Sequence, residues 1–182
     1  MEIFCRRAGA DDFPAILKLQ SANYLPNLAP EDRIQGFLSA EFNPTQIAAI
    51  ADDLGIMVAI DAGEIAGYLC AFRNEFEHSS PVLATMLRSY DRVHFAGRSI
   101  SSYRSYIYGP VCIARDYRGR GVLRQLYEAQ KKDLAGRFEA GVAFVSRSNP
   151  HSLQAHLAGL GMTDAGDFEV NGNVYAILAF SL

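Results

Sequence analysis

Two glycines one residue apart, Gly119 and Gly121, stand among Arg118, Arg120 and Arg124, between an apolar run and an amphipathic one. Glycine has no Cβ, so the backbone there can turn sharply and approach another molecule closely. The run from Ile107 to Ile113 predicts a strand, and Leu123, Leu126, Tyr127 and Leu134 recur at helical spacing after the glycines. A helix that starts at such a turn points its unpaired N–H groups and the positive end of its dipole at whatever lies beyond it. With the arginines added, the arrangement would cradle a diphosphate. A plain strand–turn–helix corner is the competing reading of any lone Gly-x-Gly. No Lys-Ser/Thr pair follows, so the turn is not a P-loop. The three-glycine dinucleotide spacing is also absent, which leaves a dinucleotide oxidoreductase as a remote alternative.

A second group of chemistry-bearing residues lies at Asn149-Pro150-His151-Ser152, followed by His156 and then Gly161-Met162. An imidazole can gain or lose a proton near neutrality, so His156 is a candidate acid; it can equally cap or pack its own helix. Tyr108, on the strand before the glycines, is the other candidate proton donor.

Tyr117 to Val122 resembles the acetyl-CoA-binding turn of the GNAT superfamily of acyltransferases, whose pattern is Arg or Gln, two residues, Gly, one residue, then Gly or Ala. Arg118 matches the first position and Gly121 the fourth; Leu123 stands where the family has Gly or Ala, and Arg115 where many members have Pro. Asn149 to Met162 is similar to the family's Asn-x-x-Ala/Ser, Tyr or His, Gly-Phe region. The resemblance implies acetyl-CoA as cosubstrate, with its diphosphate on Arg118, Gly119, Arg120, Gly121, Val122 and Leu123. It implies further cofactor contacts from Val111, Cys112 and Ile113, whose strand backbone would pair with the pantetheine arm, and from Asn149 and Ser152. Counting forward from Asn149 places His156 at the general-acid position. Counting back from Gly161 places Leu157 there, because this chain has one residue more.

The elements that must position these residues follow from pattern. A strand is expected at Ile3–Arg7, then a helix capped by Asp11 or Asp12 and stopped by Pro26. A helix from Pro30 would bury Ile34, Phe37 and Leu38, and another would start at Asn43-Pro44 and end at Gly55. Ile56–Ile60 and Ile65–Phe72 read as a hairpin through Asp61-Ala62-Gly63-Glu64. Ser80-Pro81 opens a helix carrying Val82, Met86 and Tyr90. Asp91–Ser105 is polar, with Arg88, Arg92, Arg98 and Arg104 in or beside it: either a solvated connection or a lid over an acceptor. The central strand, Ser105–Ile113, is interrupted at Gly109-Pro110, where proline cannot donate to a ladder and a splay is expected. Gly141–Ser146, a helix from Asn149 to Leu160, and a hairpin of Ala165–Val170 and Val174–Phe180 about Asn171-Gly172-Asn173 complete the chain. The expected fold is α/β (α+β), GNAT-like: a mixed, mostly antiparallel central sheet with a splayed central strand and helices on both faces, one domain over residues 1–182.

Composition narrows the partners. The chain is 182 residues long, 49% hydrophobic and 20% charged, with a net charge of −3, so no global basic field favours nucleic acid. Cys5, Cys70 and Cys112 are widely spaced inside apolar runs, which suits small hydrophobes in a reducing compartment better than a disulfide or metal site. No apolar run is long enough to span a membrane, and residues 1–12 lack the features of a signal peptide, so a cytoplasmic location is expected.

Acyl transfer from a thioester to an amine asks little of a protein. The amine must lose a proton, the oxyanion needs donors such as strand amides near Val111, and the thiolate needs a proton. Glu64, Glu75, Glu77, His78 and His94 are the candidate bases, each with a surface role as the plainer reading, and deprotonation through water stays open. The reading that results is an N-acetyltransferase acting on a primary amine of a small molecule or peptide, without a metal, a nucleic acid or a membrane, with a homodimer left open. A CoA-binding or ligand-sensing module without chemistry is the alternative.

Overall fold

The computed structural model describes residues 3–182. β1 (Phe4–Arg7) leads through a 3₁₀ turn, Ala10–Asp12, into α1 (Phe13–Asn23). Two more 3₁₀ turns, Leu25–Asn27 and Pro30–Gln35, precede α2 (Pro44–Asp53), β2 (Ile56–Asp61) and β3 (Glu64–Arg73). Next come α3 (Pro81–Ser89), the short strands β4 (His94–Phe95) and β5 (Arg98–Ser99), and β6 (Ser105–Ile113). α4 (Val122–Leu134), β7 (Ala140–Ser146), α5 (Pro150–Gln154), β8 (Thr163–Val170) and β9 (Asn173–Ser181) finish the chain. Among the described residues the main sheet has seven strands in the order β1-β2-β3-β6-β7-β9-β8. The fold is thus α/β with a mixed, mostly antiparallel sheet: β6 and β7 run parallel, while the β1–β2, β2–β3, β7–β9 and β8–β9 pairs are antiparallel.

The chain divides into two compact units, one of residues up to Phe72 with Tyr108–Asp133, the other of Arg73–Ile107 with Leu134–Leu182. In the first, β2 is buried along its whole length and β3 from Ala66 to Phe72, and α1 and α2 bury Ile16, Ile47 and Ile50. α2 is opened by the expected cap: Asn43 Oδ1 accepts from Gln46 N–H and Gln46 Oε1 accepts from Asn43 N–H, both at 2.9 Å. Asp12 sits before α1 but does not cap it; its carboxylate accepts from Gly9 N–H at 2.8 Å and from the Arg6 guanidinium. Arg7 in turn grips Asp133 near the end of α4 through two hydrogen bonds of 3.1 and 2.6 Å.

Pro30 opens only a 3₁₀ turn, not the expected helix. Gly36, at φ 90°, redirects the chain after six residues, before the run can lengthen into further helical turns. Ile34 is consequently 71% exposed, and Leu38 alone of that trio is fully buried, where it forms a bridge to Tyr24.

In the second unit, the parallel ladder of β6 with β7 runs from Ser105 opposite Ala140 to Ile107 opposite Val142. It ends two residues before Gly109-Pro110, the dipeptide expected to interrupt it. The polar stretch after α3 is a folded hairpin, not a bare connection: β4 pairs with β5, and Phe95 and Ile100 are buried. Arg98 lies over the Tyr103 ring at 4.1 Å and donates to Ser102 O, while the Arg104 and Glu139 backbones and side chains bond each other. Glu139 is held below the usual carboxylate range by the Arg104 N–H and then by Arg98 and Arg104. The arginines read as decoration of a lid are thus partly spent on holding the segment together.

Candidate functional site

Two candidate groups emerge, one in each unit. In the first unit, β6 passes through Val111, Cys112 and Ile113 into a 3₁₀ turn, Arg115–Tyr117, and the glycines lead from there into α4. Gly119 and Gly121 have φ values of 72° and 80°, a region that costs other residues roughly 1–2 kcal/mol. A Cβ built on either would meet no atom within 4 Å beyond its chain neighbours, so no other part of the protein fills the space beside these glycines. Gln125 N–H makes the first bond back to the turn, to Gly121 O at 3.1 Å, and helix geometry leaves Val122 and Leu123 N–H directed past it. Arg120 and Arg124 are exposed, the former 5.7 Å over the Tyr117 ring. These residues fit a diphosphate.

The Arg118 guanidinium is turned towards protein acceptors. It donates to Ile113 O at 3.3 Å, Gln35 O at 3.2 Å and Asn23 Oδ1 at 2.5 Å. Tyr117 is also tied down, donating its hydroxyl to the buried carboxylate of Asp61 at 3.0 Å. Neither contact follows from a local pattern: Asn23 ends α1, and Asp61, which the sequence marks only as the start of a hairpin turn, ends β2.

The strand before the turn is packed closely. Ala114 N–H donates to Ala66 O at 2.8 Å, and a Cβ on Gly67 would stand 2.9 Å from Cys112 O. Cys112 is buried with its thiol 3.9 Å from Leu19 O, and burial pushes its pKa up to about 12. Its side chain is packed inside the protein, which leaves only its backbone for a ligand. Tyr108 is buried with its ring edge-on to Tyr127, centroids 6.2 Å apart.

In the second unit, Asn149, Ser152 and His156 are brought together. Asn149 Oδ1 accepts from Ser152 N–H at 3.3 Å, and His156 Nδ1 lies 2.7 Å from Ser152 O. A carbonyl can only accept, so Nδ1 carries the hydrogen. His156 is 3% exposed, and that burial lowers its pKa, against a smaller opposing effect of the Ser152 bond. The expectation of a histidine near its ordinary pKa is therefore corrected. The helix is α only over Pro150–Gln154; Ala155–Gly159 forms a π turn. A π turn holds one residue more than an α turn. That extra residue explains why counts from Asn149 and from Gly161 disagree, and His156, not the half-buried Leu157, is the residue turned inward.

Of the candidate bases, Glu64, Glu75, Glu77 and His94 are exposed, and His78 Nδ1 accepts from Ser80 N–H at 3.2 Å beside the start of α3. Among the described residues, no group of three or more His, Cys, Asp or Glu is placed to hold a metal ion. No helix among them is long and apolar enough to cross a membrane.

Comparison with solved structures finds the same fold throughout. An acetyltransferase of the GNAT family from Streptococcus agalactiae superposes with a TM-score of 0.69 at 16% identity, covering 99% of this chain and 95% of that one. A ribosomal-protein-alanine N-acetyltransferase from Brucella melitensis gives 0.63 at 17% identity, covering 98% and 99%. A protein from Salmonella typhimurium assigned as an acetyltransferase without that activity being stated as established, and solved with its cofactor acetyl-CoA, gives 0.60 at 13%, covering 98% and 93%. Comparison with curated proteins found no match. The sequence model of the acetyltransferase (GNAT) family matches residues 13–162. With that match across most of its length, and a glycine turn fit for a diphosphate at the start of α4, the chain belongs to the acetyltransferase (GNAT) family.

Proposed function

We propose that this chain is an N-acetyltransferase that moves an acetyl group from acetyl-CoA to a primary amine. The observation that carries the reading is the turn at Gly119–Gly121: two left-handed glycines with open space on their Cβ sides, at the start of a helix. Acetyl-CoA supplies the acetyl group as a thioester. The protein's part is to hold the diphosphate on the turn's backbone, present β6 beyond Pro110 to the pantetheine arm, and return a proton as the C–S bond breaks and the C–N bond forms. Asn149 and Ser152 are proposed as further cofactor contacts, and His156, or Tyr108 in its place, as the proton donor. The acceptor is a small molecule or a peptide amine; the Brucella melitensis relative is described as acting on a ribosomal protein, which keeps the second class in view.

Isothermal titration with acetyl-CoA and release of free thiol across an amine panel test the reading together. Gly121→Val should bind at least tenfold more weakly, because the β-branched side chain both resists a positive φ and fills the open space. Unchanged affinity in that variant would remove the diphosphate from the turn. A second reading, a CoA-binding module without chemistry, is favoured by the surroundings of His156: the bond to Ser152 O holds the ring hydrogen on Nδ1, and burial lowers the pKa, which disfavours a second proton on Nε2 to give. Tight binding with no thiol release from any amine would select it.

A further inference from the structure

The approach to the glycine turn is fastened by side chains that diphosphate binding does not itself require. Arg118 spends Nε, Nη1 and Nη2 on three separate acceptors, Ile113 O, Gln35 O and Asn23 Oδ1. Asn23 is 8% exposed, and its Nδ2 donates to Leu19 O at 2.8 Å, so its side-chain amide is committed at both ends. Its backbone carbonyl accepts from Leu38 N–H, whose own carbonyl accepts from Leu25 N–H, both at 2.9 Å. Arg115 reaches the same segment through Asp32 at 3.1 Å. One buried amide thus joins the end of α1, residues 24–38 and the turn, all within one unit.

We propose that Arg118 is a positioning residue and not a phosphate ligand: it fixes the Gly119–Leu123 turn on Asn23 and Gln35, and so couples binding at the turn to the order of residues 24–38. The inference rests on the acetyl-CoA reading above. A guanidinium presents its donors in a rigid fork. Turning that fork towards a phosphate would strip Asn23 Oδ1 of this partner in a buried position, which carries a desolvation cost. Arg120, which is exposed and makes no hydrogen bond to residues 24–38 among those cited above, is better placed to offer its charge to a phosphate. Coupling is reciprocal: if the anchors on residues 24–38 hold the turn, a ligand that holds the turn orders residues 24–38.

CoA affinity is measured by titration calorimetry at several salt concentrations for the wild type, Arg118→Ala, Arg118→Lys, Asn23→Ala, Arg120→Ala and the Arg118→Ala/Asn23→Ala double variant. Hydrogen exchange of residues 24–38 is followed with and without CoA. Asn23→Ala keeps the arginine and the net charge, so it tests the anchor independently of the guanidinium. Arg118→Ala and Asn23→Ala should each weaken CoA by a similar factor, roughly tenfold for a lost charge-assisted hydrogen bond, and the double variant should be no weaker than either. The dependence of affinity on salt should match the wild type in these variants and flatten only in Arg120→Ala. Arg118→Lys should not rescue, because a point charge cannot bridge three acceptors. CoA should slow exchange over residues 24–38 in the wild type and not in Arg118→Ala. A flattened salt dependence in Arg118→Ala, rescue by lysine, or additive losses in the double variant would make Arg118 a direct phosphate ligand and overturn the proposal. Binding without protection of residues 24–38 overturns the coupling while leaving the acetyl-CoA reading intact. No binding of CoA by the wild type removes both.

Discussion

His156 donates Nδ1–H to Ser152 O and is closed off from water, so its imidazolium form is disfavoured in the folded protein. The unfolded chain then binds the proton more readily than the fold does, and stability must fall as pH drops below the ordinary histidine pKa near 6.5. The urea midpoint of the wild type should accordingly decline between about pH 7.5 and pH 5.5 by more than that of His156→Asn, whose amide can keep the bond to Ser152 O. Parallel curves would show that another group sets the acid limb. If His156 is the proton donor, the same variant should lose roughly 10²-fold in turnover with acetyl-CoA affinity unchanged. The sequence offered this residue through its spacing from Asn149. Its burial was not legible, because periodicity assumes 3.6 residues per turn and the π turn at Ala155–Gly159 breaks that count. The roles of Asn23 and Asp61 were missed for a related reason: they come from long-range partners, Arg118 and Tyr117, that no local pattern encodes.

Elements were far more readable than contacts. The caps at Asn43, Ser80 and Asn149 all accept the expected backbone N–H, and the two longer hairpins turn at Ala62-Gly63 and Asn171-Gly172 with positive φ, as their turn residues require. The failures fall where the pattern was short: Pro30–Gln35 is a 3₁₀ turn, and Asp91–Ser105, polar by composition, hides a hairpin around buried Phe95 and Ile100. Gly67 shows how closely the elements fit. A Cβ there would come within 2.8 Å of Ile113 Cδ1, which can swing aside, and 2.9 Å of Cys112 O, which cannot move without the strand. Gly67→Ala should therefore destabilise by about 1–3 kcal/mol, the usual cost of overpacking, read from urea denaturation. An unshifted midpoint would mean that β3 and β6 separate at that point without penalty.

Over the whole molecule, the chain passes from one compact unit to the other after Phe72, after Ile107 and after Asp133. Each passage falls inside an element: near the end of β3, within β6, and before the last residue of α4. Linkers between independent domains are normally exposed, irregular segments with few contacts. A boundary that cuts strands and a helix has a different consequence. Unit one cannot complete β6 without Ser105–Ile107, and unit two begins that strand but does not own its end, so neither set of residues carries a whole set of elements. We propose that residues 1–182 behave as one folding domain, with the two units as regions of denser contact. Far-ultraviolet circular dichroism, which reports helix and strand everywhere, and tyrosine fluorescence should then give coincident single transitions in urea. Tyr108 and Tyr127 lie in one unit and Tyr106 and Tyr175 in the other, so the fluorescence signal samples both. Two resolved transitions, or a probe-dependent midpoint, would instead establish the units as separately folding domains.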